Sequence, residues 1–307
     1  MSKILAFSDL HLKGKNSTYR LGKYKEDILL KVDEILSLAK KYKVEYILDN
    51  GDILENESPS YSIIDALADR VESAKIPLYS LLGNHCMLYA NIENSKGTAL
   101  THLIKRSKYF NYLDKIEGDD YVIKGYEYRT NIEKEIKEKG LFFDETDKWK
   151  IGIVHALVME KPFFKDVSHV VCKDIKTNFD LLLLSHYHHP FRVKTKTTEF
   201  LNIGCCGRLN INEHNVEPSV ILLDTEKRDY KIIKLTCAKK GEEVFDLTKY
   251  NELKENKKDI KEFIASLNSV NFQSLNITEQ IFNICEEKDI KDYLTLKMEE
   301  VKNGKCK

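Results

Sequence analysis

Near its start the sequence contains Lys3-Ile4-Leu5-Ala6-Phe7-Ser8-Asp9-Leu10-His11, a short apolar run that ends in polar residues. A run of this kind predicts a buried strand, and the apolar spacing of residues 24–42 predicts a helix after it. The pattern repeats: a strand ends within Tyr46-Ile47-Leu48-Asp49-Asn50-Gly51-Asp52, residues 61–74 have helical spacing, and a third strand ends at Gly83-Asn84-His85. This alternation predicts right-handed crossovers and a largely parallel sheet that is buried on both faces.

The second half of the chain predicts more strands and then helices. Five further strand candidates are residues 151–154, 181–184, 200–203, 220–223 and 231–235. The last two flank a polar turn and predict an antiparallel hairpin, so the sheets are mixed. Residues 131–139 are typical of a solvated helix, and residues 253–267 and 278–298 are helical in pattern and dense in Lys and Glu. We therefore predict a mixed α/β domain over residues 1–240 and a helical C-terminal region over residues 241–307.

Length and composition limit the class of protein. A chain of 307 residues allows one large domain or one domain with an appendage. Lys+Arg 49 balances Asp+Glu 49, so the net charge does not indicate a polyanionic partner. No apolar run reaches the ~18–20 residues that a membrane helix needs, and no signal peptide or lipidation site is visible. The expected location is cytoplasmic, where the seven cysteines, without any C-x-x-C pair, would stay reduced.

Short polar clusters follow five of the apolar runs. They are Asp9-Leu10-His11, Gly51-Asp52-Ile53-Leu54-Glu55, Gly83-Asn84-His85, Val154-His155 and Ser185-His186-Tyr187-His188. The ends of neighbouring strands converge on one edge of a sheet, where open α/β folds bind ligands. Burying so many imidazoles and carboxylates without partners would cost several kcal/mol for each charged group, and a shared cation gives each of them a partner. The clusters therefore predict a metal site.

The residue types narrow the metal and the number of ions. Imidazole, carboxylate and amide donors, with no thiolate at the strand ends except Cys86, suit manganese, iron or zinc better than a closed, cysteine-based structural zinc site. The seven candidate ligands are Asp9, His11, Asp52, Asn84, His155, His186 and His188. They are too many for one tetrahedral ion, whereas two divalent ions ~3.5–4 Å apart would use them all. Asp52, in the middle of the set, is the expected bridge.

Each cluster alone has an ordinary structural explanation. An Asp-x-His at a strand end is more often a turn with a helix cap, and His155 alone would more often be a core histidine. The segment that contains His186, His188 and His189 could be a histidine-rich loop. The co-occurrence of five clusters favours the metal site. His102, His169 and His214 lie outside these clusters and are interpreted as structural or surface residues.

The ordered motifs D-x-H, G-D-x-x-[DE], G-N-H, strand-H and [GS]-H-x-H, over residues 9–188, strongly resemble those of the calcineurin-like metallophosphoesterases. The resemblance implies an α/β fold, a four-layer αββα sandwich with a two-metal site. It implies that Asp9, His11 and His188 bind one ion, that Asp52 bridges, and that Asn84, His155 and His186 bind the other. His85 resembles the histidine that faces the scissile phosphate. Two departures are Cys86, where the family usually has Asp or Glu, and Ser185, where it usually has Gly.

A looser resemblance concerns the substrate. The Asp9-Leu10-His11-Leu12-Lys13-Gly14 segment, the segment 200–209 and the hairpin before residue 250 are similar to SbcD-type nuclease subunits and their phage homologues. This implies a manganese-dependent DNA exo- or endonuclease that acts with a coiled-coil ATPase of the SbcC type, with a homodimer as a further expectation. The alternatives are a small-molecule or nucleotide phosphodiesterase or phosphatase, and a non-catalytic scaffold, for which Cys86 is the best argument.

Overall fold

The computed structural model describes residues 2–162, 167–248 and 251–252. Its strands are β1 (Lys3–Phe7), β2 (Tyr46–Asp49), β3 (Leu78–Ser80), β4 (Phe110–Tyr112), β5 (Lys115–Glu117), β6 (Tyr121–Tyr126), β7 (Trp149–His155), β8 (Val158–Met159), β9 (Val170–Val171), β10 (Leu181–Ser185), β11 (Phe191–Lys194), β12 (Glu199–Asn202), β13 (Ser219–Asp224) and β14 (Asp229–Lys234). Its helices are α1 (Tyr24–Tyr42), α2 (Tyr61–Ala74), α3 (Ala99–Arg106), α4 (Ile132–Lys139) and α5 (Gly241–Val244).

Two six-stranded sheets form the centre of the fold. The first has the order β14-β13-β1-β2-β3-β4, in which β1 to β4 are parallel and the hairpin β13-β14 joins antiparallel to β1. The second has the order β11-β12-β10-β7-β6-β5, with parallel inner strands and antiparallel edge strands. The inner parallel strands of each sheet therefore end at a common edge, as the sequence pattern predicts.

The side chains of the two sheets form three apolar layers. Between the sheets, residues such as Ile4 and Leu48 pack with Ile151 and Leu183. Helices α1 to α3 cover the outer face of the first sheet, and α4 packs with the outer face of the second sheet. Because alternate residues of a strand point to opposite faces, each buried strand contributes to two of these layers. The four-layer sandwich is confirmed.

The helices α1 and α2 begin and end where the apolar spacing predicts, and the predicted hairpin is β13-β14. The strands β4, β5, β6, β8, β9 and β11 were not predicted, although β6 pairs with β7 inside the second sheet. β4 and β5 have three residues each, and only the first three residues of β6 are fully buried. Runs this short carry no readable periodicity.

The chain after residue 240 begins against the catalytic domain. Phe245 is buried, and the Leu21 N–H donates to the Val244 carbonyl at 2.7 Å. Met1–Tyr250 form one compact unit. The predicted helices 253–267 and 278–298 lie outside the described residues, and the domain boundary at residue 240 stays a prediction. Within the described ranges, no helix has the length and apolar character needed to span a bilayer.

Candidate metal centre

The predicted site residues lie on the loops that follow β1, β2, β3 and β10 and, in the case of His155, at the end of β7 itself. Asp9, His11, Asp52 and His186 have positive φ angles of 50°, 51°, 57° and 79°. A left-handed backbone is unfavourable for residues with a side chain and concentrates at functional sites. The local sequence therefore bends sharply after the strands and turns these side chains toward one another.

Two glycines make room for this arrangement. A Cβ atom on Gly51 would lie 2.2 Å from His155 Nδ1, and one on Gly83 would lie 2.1 Å from Asp52 Oδ1. Gly51 also has a φ of 111°. The glycines of the G-D and G-N-H motifs are thus required by contact with the site itself.

Asp9, His11 and His188 form one group, here called the Asp9 half. Their donor atoms lie within 4.8 Å of one another. His11 Nε2 lies 3.0 Å from His188 Nε2, and Asp9 Oδ1 lies 3.7 Å from the same His188 nitrogen. Asp9 and His11 are fully buried. These three are the residues expected to bind one ion.

Asn84, His155 and His186 form the second group, here called the Asn84 half, and Asp52 lies with them. Donor atoms of Asp52, His155 and His186 lie within 4.8 Å of one another. His155 Nε2 is 3.1 Å from Asp52 Oδ2 and 3.3 Å from Asn84 Oδ1. Asp52 also groups with His11, so it lies between the two halves, where a bridging ligand is expected. The structure thus brings all seven candidate ligands together.

The donors fit divalent cations. Among the described residues, Asp52 Oδ2 is buried without a hydrogen bond of good geometry, although His155 Nε2 lies 3.1 Å away. An unpartnered carboxylate oxygen is costly to bury, and a cation would give it a partner. Nitrogen and oxygen donors suit manganese, iron or zinc. Asp9, His11 and His188 would hold one ion, and Asp52, Asn84, His155 and His186 the other.

The charges within the Asn84 half follow from burial and neighbours. Burial acts against both charged forms, yet the attraction between Asp52 and His155 holds the pKa of Asp52 well below its ordinary value and raises the pKa of His155 to about 9. Burial, followed by the charge of His155, lowers the pKa of His186 to about 3. His186 is therefore neutral at pH 7, with a lone pair available to a cation.

His85 lies at the mouth of the site. Its Nδ1 donates to the Glu55 carbonyl at 2.9 Å and lies 3.7 Å from Glu55 Oε2. Its backbone N–H donates to Asp52 Oδ1 at 3.0 Å, and its side chain is 35% exposed. Because Nδ1 is engaged, Nε2 is the ring nitrogen that remains for a substrate. A ring nitrogen of His85 also lies within 4.8 Å of donor atoms of His11 and Asp52. The partly exposed side chain is therefore placed beside the metal centre and is accessible to a substrate.

Glu55 was not predicted as a site residue, although it is the last residue of the quoted G-D-x-x-[DE] motif. Its Oε2 lies 2.9 Å from His11 Nδ1, so it supports a ligand as well as His85. Cys86 does not have this role. Its thiol is buried in the apolar core, 4.0 Å from the Leu54 carbonyl, and burial raises the pKa of the thiol well above its ordinary value. Because Cys86 stands where the family usually has Asp or Glu, the carboxylate that supports His85 must come from elsewhere in the chain. Glu55 is placed to be that carboxylate.

Glu213 is the second functional residue that was missed. Its Oε1 lies 2.7 Å from His188 Nδ1, and its Oε2 accepts from the Asn210 N–H at 3.0 Å. Burial opposes the charge of both partners, but the hydrogen bond between them lowers the pKa of Glu213 to about 2 and raises the pKa of His188 to about 9. The available signal was the N-x-x-E capping box of residues 210–213. A carboxylate behind a ligand histidine orients the ring and increases its basicity.

The three histidines interpreted as structural or surface residues lie outside the metal centre. Among the described residues, His102, His169 and His214 belong to no group of metal-type donors. His102 is in α3, and the ring nitrogens of His169 and His214 lie within 3.0 Å of the backbone carbonyls of Val167 and Ile211.

Three solved structures resemble the chain. TT1561 of Thermus thermophilus is 13% identical, with a TM-score of 0.45, over 76% of this chain and 98% of that one. An archaeal phosphodiesterase is 16% identical, with a TM-score of 0.40, over 76% and 99%. A candidate 5′-nucleotidase from Staphylococcus aureus is 14% identical, with a TM-score of 0.42, over 76% and 52%. No curated protein matches the chain.

The family comparison is more specific than these structural likenesses. Residues 2–190 match the calcineurin-like phosphoesterases, a family that uses a dinuclear divalent metal centre. The match covers more than half of the 307 residues and includes all seven candidate ligands. The chain therefore belongs to the calcineurin-like phosphoesterase family, and it is a metal-dependent phosphoester hydrolase.

Proposed function

We propose that the protein hydrolyses phosphodiesters in DNA with two divalent ions, manganese being the expected metal. One observation carries the hydrolytic part of the proposal: seven ligand-type side chains and His85 meet at the strand ends of both sheets, with Asp52 between the two halves. Two bound ions would neutralise phosphate oxygens and activate a water for in-line attack. His85, whose Nδ1 is held by the Glu55 carbonyl, would donate a proton from Nε2 to the leaving oxygen.

The choice of a polymeric substrate is supported by the openness of the site. The side chains of His85 and His188 are 35% and 18% exposed, so the reacting phosphate lies at a surface edge. Tyr89, on the turn just after His85, is 85% exposed with a φ of 56°. Exposed aromatic rings beside a phosphate site are suited to stacking on nucleic-acid bases. These features support a chain substrate that extends past the metal centre.

Partners and location extend the proposal. The SbcD-like segments favour assembly with a coiled-coil ATPase of the SbcC type in the cytoplasm, through the C-terminal region, and a homodimer of the nuclease subunit. The test is co-purification of the full chain, and of a chain ending at Tyr250, with such an ATPase. We expect the shortened chain to hydrolyse bis-p-nitrophenyl phosphate but to lose the ATPase.

The substrate test compares phosphoesters at equal manganese concentration. The purified chain should hydrolyse bis-p-nitrophenyl phosphate and cleave linear duplex or single-stranded DNA, and His85→Ala should slow both reactions, DNA cleavage more than hydrolysis of bis-p-nitrophenyl phosphate. Activity on cyclic nucleotides or dinucleotides with none on DNA would favour the second candidate, a nucleotide phosphodiesterase. Metal binding without any hydrolysis would favour a scaffold.

A further inference from the structure

Ser185, where the family usually has glycine, lies directly against a candidate ligand. It ends β10, is fully buried, and pairs in register with His155 of β7. Its Oγ is 3.0 Å from His155 Nδ1, 2.6 Å from the Asn50 carbonyl and 3.2 Å from the Val154 carbonyl. His155 Nδ1 is itself 3.0 Å from the Asn50 carbonyl. The hydroxyl therefore belongs to a closed polar cluster behind the imidazole.

Counting protons assigns the donors in this cluster. Ser185 has one hydroxyl proton, and its shortest contact, with a carbonyl that cannot donate, takes that proton. The Ser185 oxygen then offers only lone pairs to His155 Nδ1. If Nδ1 had no proton, its lone pair would face both the Ser185 oxygen and the Asn50 carbonyl at 3.0 Å. With a proton on Nδ1, the contacts of Nδ1 with the Ser185 oxygen and with the Asn50 carbonyl both join a donor to an acceptor.

We propose that Ser185 is a positioning residue, which keeps the proton of His155 on Nδ1 and so leaves the Nε2 lone pair for the ion of the Asn84 half. Nε2 is the nitrogen that lies close to Asp52 and Asn84, so this is the tautomer that the site requires. The proposal concerns this half alone, because His188 is supported by Glu213. It does not depend on the identity of the phosphoester.

The test removes the hydroxyl in two ways. Ser185→Ala and Ser185→Gly both lack it, and they differ in packing. In titrations with manganese, we expect both variants to lose about tenfold in affinity for the ion of the Asn84 half, here called the second ion. The ion of the Asp9 half, the first ion, should bind as in the parent chain. In the zinc-loaded protein, the Nδ1–H proton signal of His155 should shift in both variants and exchange faster with solvent.

Thr198→Ala is the matched control, because the Thr198 hydroxyl is also buried and donates to a carbonyl, that of Phe179, at 2.7 Å, at the opposite end of the same sheet. It should leave both ion affinities unchanged. Unchanged affinity together with an unchanged Nδ1–H signal in the two Ser185 variants would overturn the proposal. An equal loss of affinity for both ions would also overturn the proposal, since that result indicates general damage to the fold.

Discussion

The two halves of the metal centre are supported by different chemistry. In the Asp9 half, carboxylates lie behind both histidines: Glu55 Oε2 is 2.9 Å from His11 Nδ1, and Glu213 Oε1 is 2.7 Å from His188 Nδ1. In the Asn84 half, a neutral amide supplies one donor, and a carbonyl and a hydroxyl lie behind His155.

This difference in support predicts that the two halves bind their ions with unequal affinity. Carboxylate support increases the basicity of an imidazole and adds negative charge near the cation, whereas carbonyl and hydroxyl groups mainly orient the ring. We therefore expect the Asp9 half to bind its ion more tightly and the Asn84 half to exchange its ion more readily. The predictions below test this difference.

The largest effect is expected from Asp52→Asn, because Asp52 is the carboxylate that both halves share. The change should weaken the binding of both ions and so abolish the difference in affinity between the halves. Hydrolysis should fall by more than about 10⁴-fold. Metal content by mass spectrometry and hydrolysis of bis-p-nitrophenyl phosphate measure the two effects. Asp65→Asn, an exposed aspartate of α2, is the control. Full metal content in the Asp52 variant would contradict the bridging assignment.

The next effect is expected from His85→Ala. His85 is assigned to the leaving group, so turnover should fall by about 10²–10⁴-fold while both halves keep their ions. The loss should be smaller for p-nitrophenolate esters, whose leaving group needs little protonation, than for alkyl esters. Loss of metal from this variant would make His85 a ligand and would extend the Asn84 half.

Glu213→Gln tests the difference between the halves directly. The amide keeps the shape of the side chain but removes the charge behind His188. We therefore expect the ion of the Asp9 half to bind about 10–100-fold more weakly, whereas the affinity for the ion of the Asn84 half should not change. Calorimetric titration with manganese separates the two ions. Glu217→Gln is the control, since the Glu217 side chain is exposed, forms an ion pair with the exposed Lys234 and, among the described residues, belongs to no group of metal-type donors. If the Glu213 variant retains tight binding of the first ion, the carboxylate support is not the cause of unequal affinity.

The affinity of each half for its ion is expected to depend on pH. Burial acts to lower the pKa of His188 and His155, but Glu213 and Asp52 respectively raise both to about 9 from the ordinary 6.5. Between pH 6.5 and 9 an incoming ion must displace these protons, so its affinity rises with pH by about tenfold per unit for each proton displaced. Because the pKa values of His188 and His155 are higher in the folded chain than in the unfolded chain, the two protonated imidazoles stabilise the metal-free fold. This stabilisation is fully present below pH 6.5 and disappears as the pH rises through 9.

Calorimetry across this pH range measures the affinity, and urea unfolding of the metal-free chain measures the stability. In Glu213→Gln the pH dependence of the first ion should become shallower, because His188 loses the charge that holds its proton. A constant affinity between pH 6.5 and 9 would show that neither imidazole carries a proton there.

The sequence predicted the parts of the molecule that depend on local order. The helix over residues 24–42 has continuous apolar spacing, and each candidate ligand follows a readable strand, so both could be found without a structure. Glu213 lies 25 residues after His188 and reaches it only in the folded chain, so no spacing rule marks the contact. The role of Ser185 likewise depends on its register with His155. Support for the ligands was therefore less predictable than the ligands themselves.

The smallest effect is expected from Cys86→Ser. The thiol lies in the apolar core, and burial keeps it protonated, so it belongs to neither half of the metal centre. A hydroxyl in the same place loses about 1–3 kcal/mol of stability, because it is buried among apolar side chains. We expect unchanged metal content and unchanged turnover at a temperature where the variant is folded, with a lower midpoint of thermal unfolding. Loss of an ion from a folded Cys86→Ser variant would make the thiolate a ligand, and the centre would then not consist of nitrogen and oxygen donors alone.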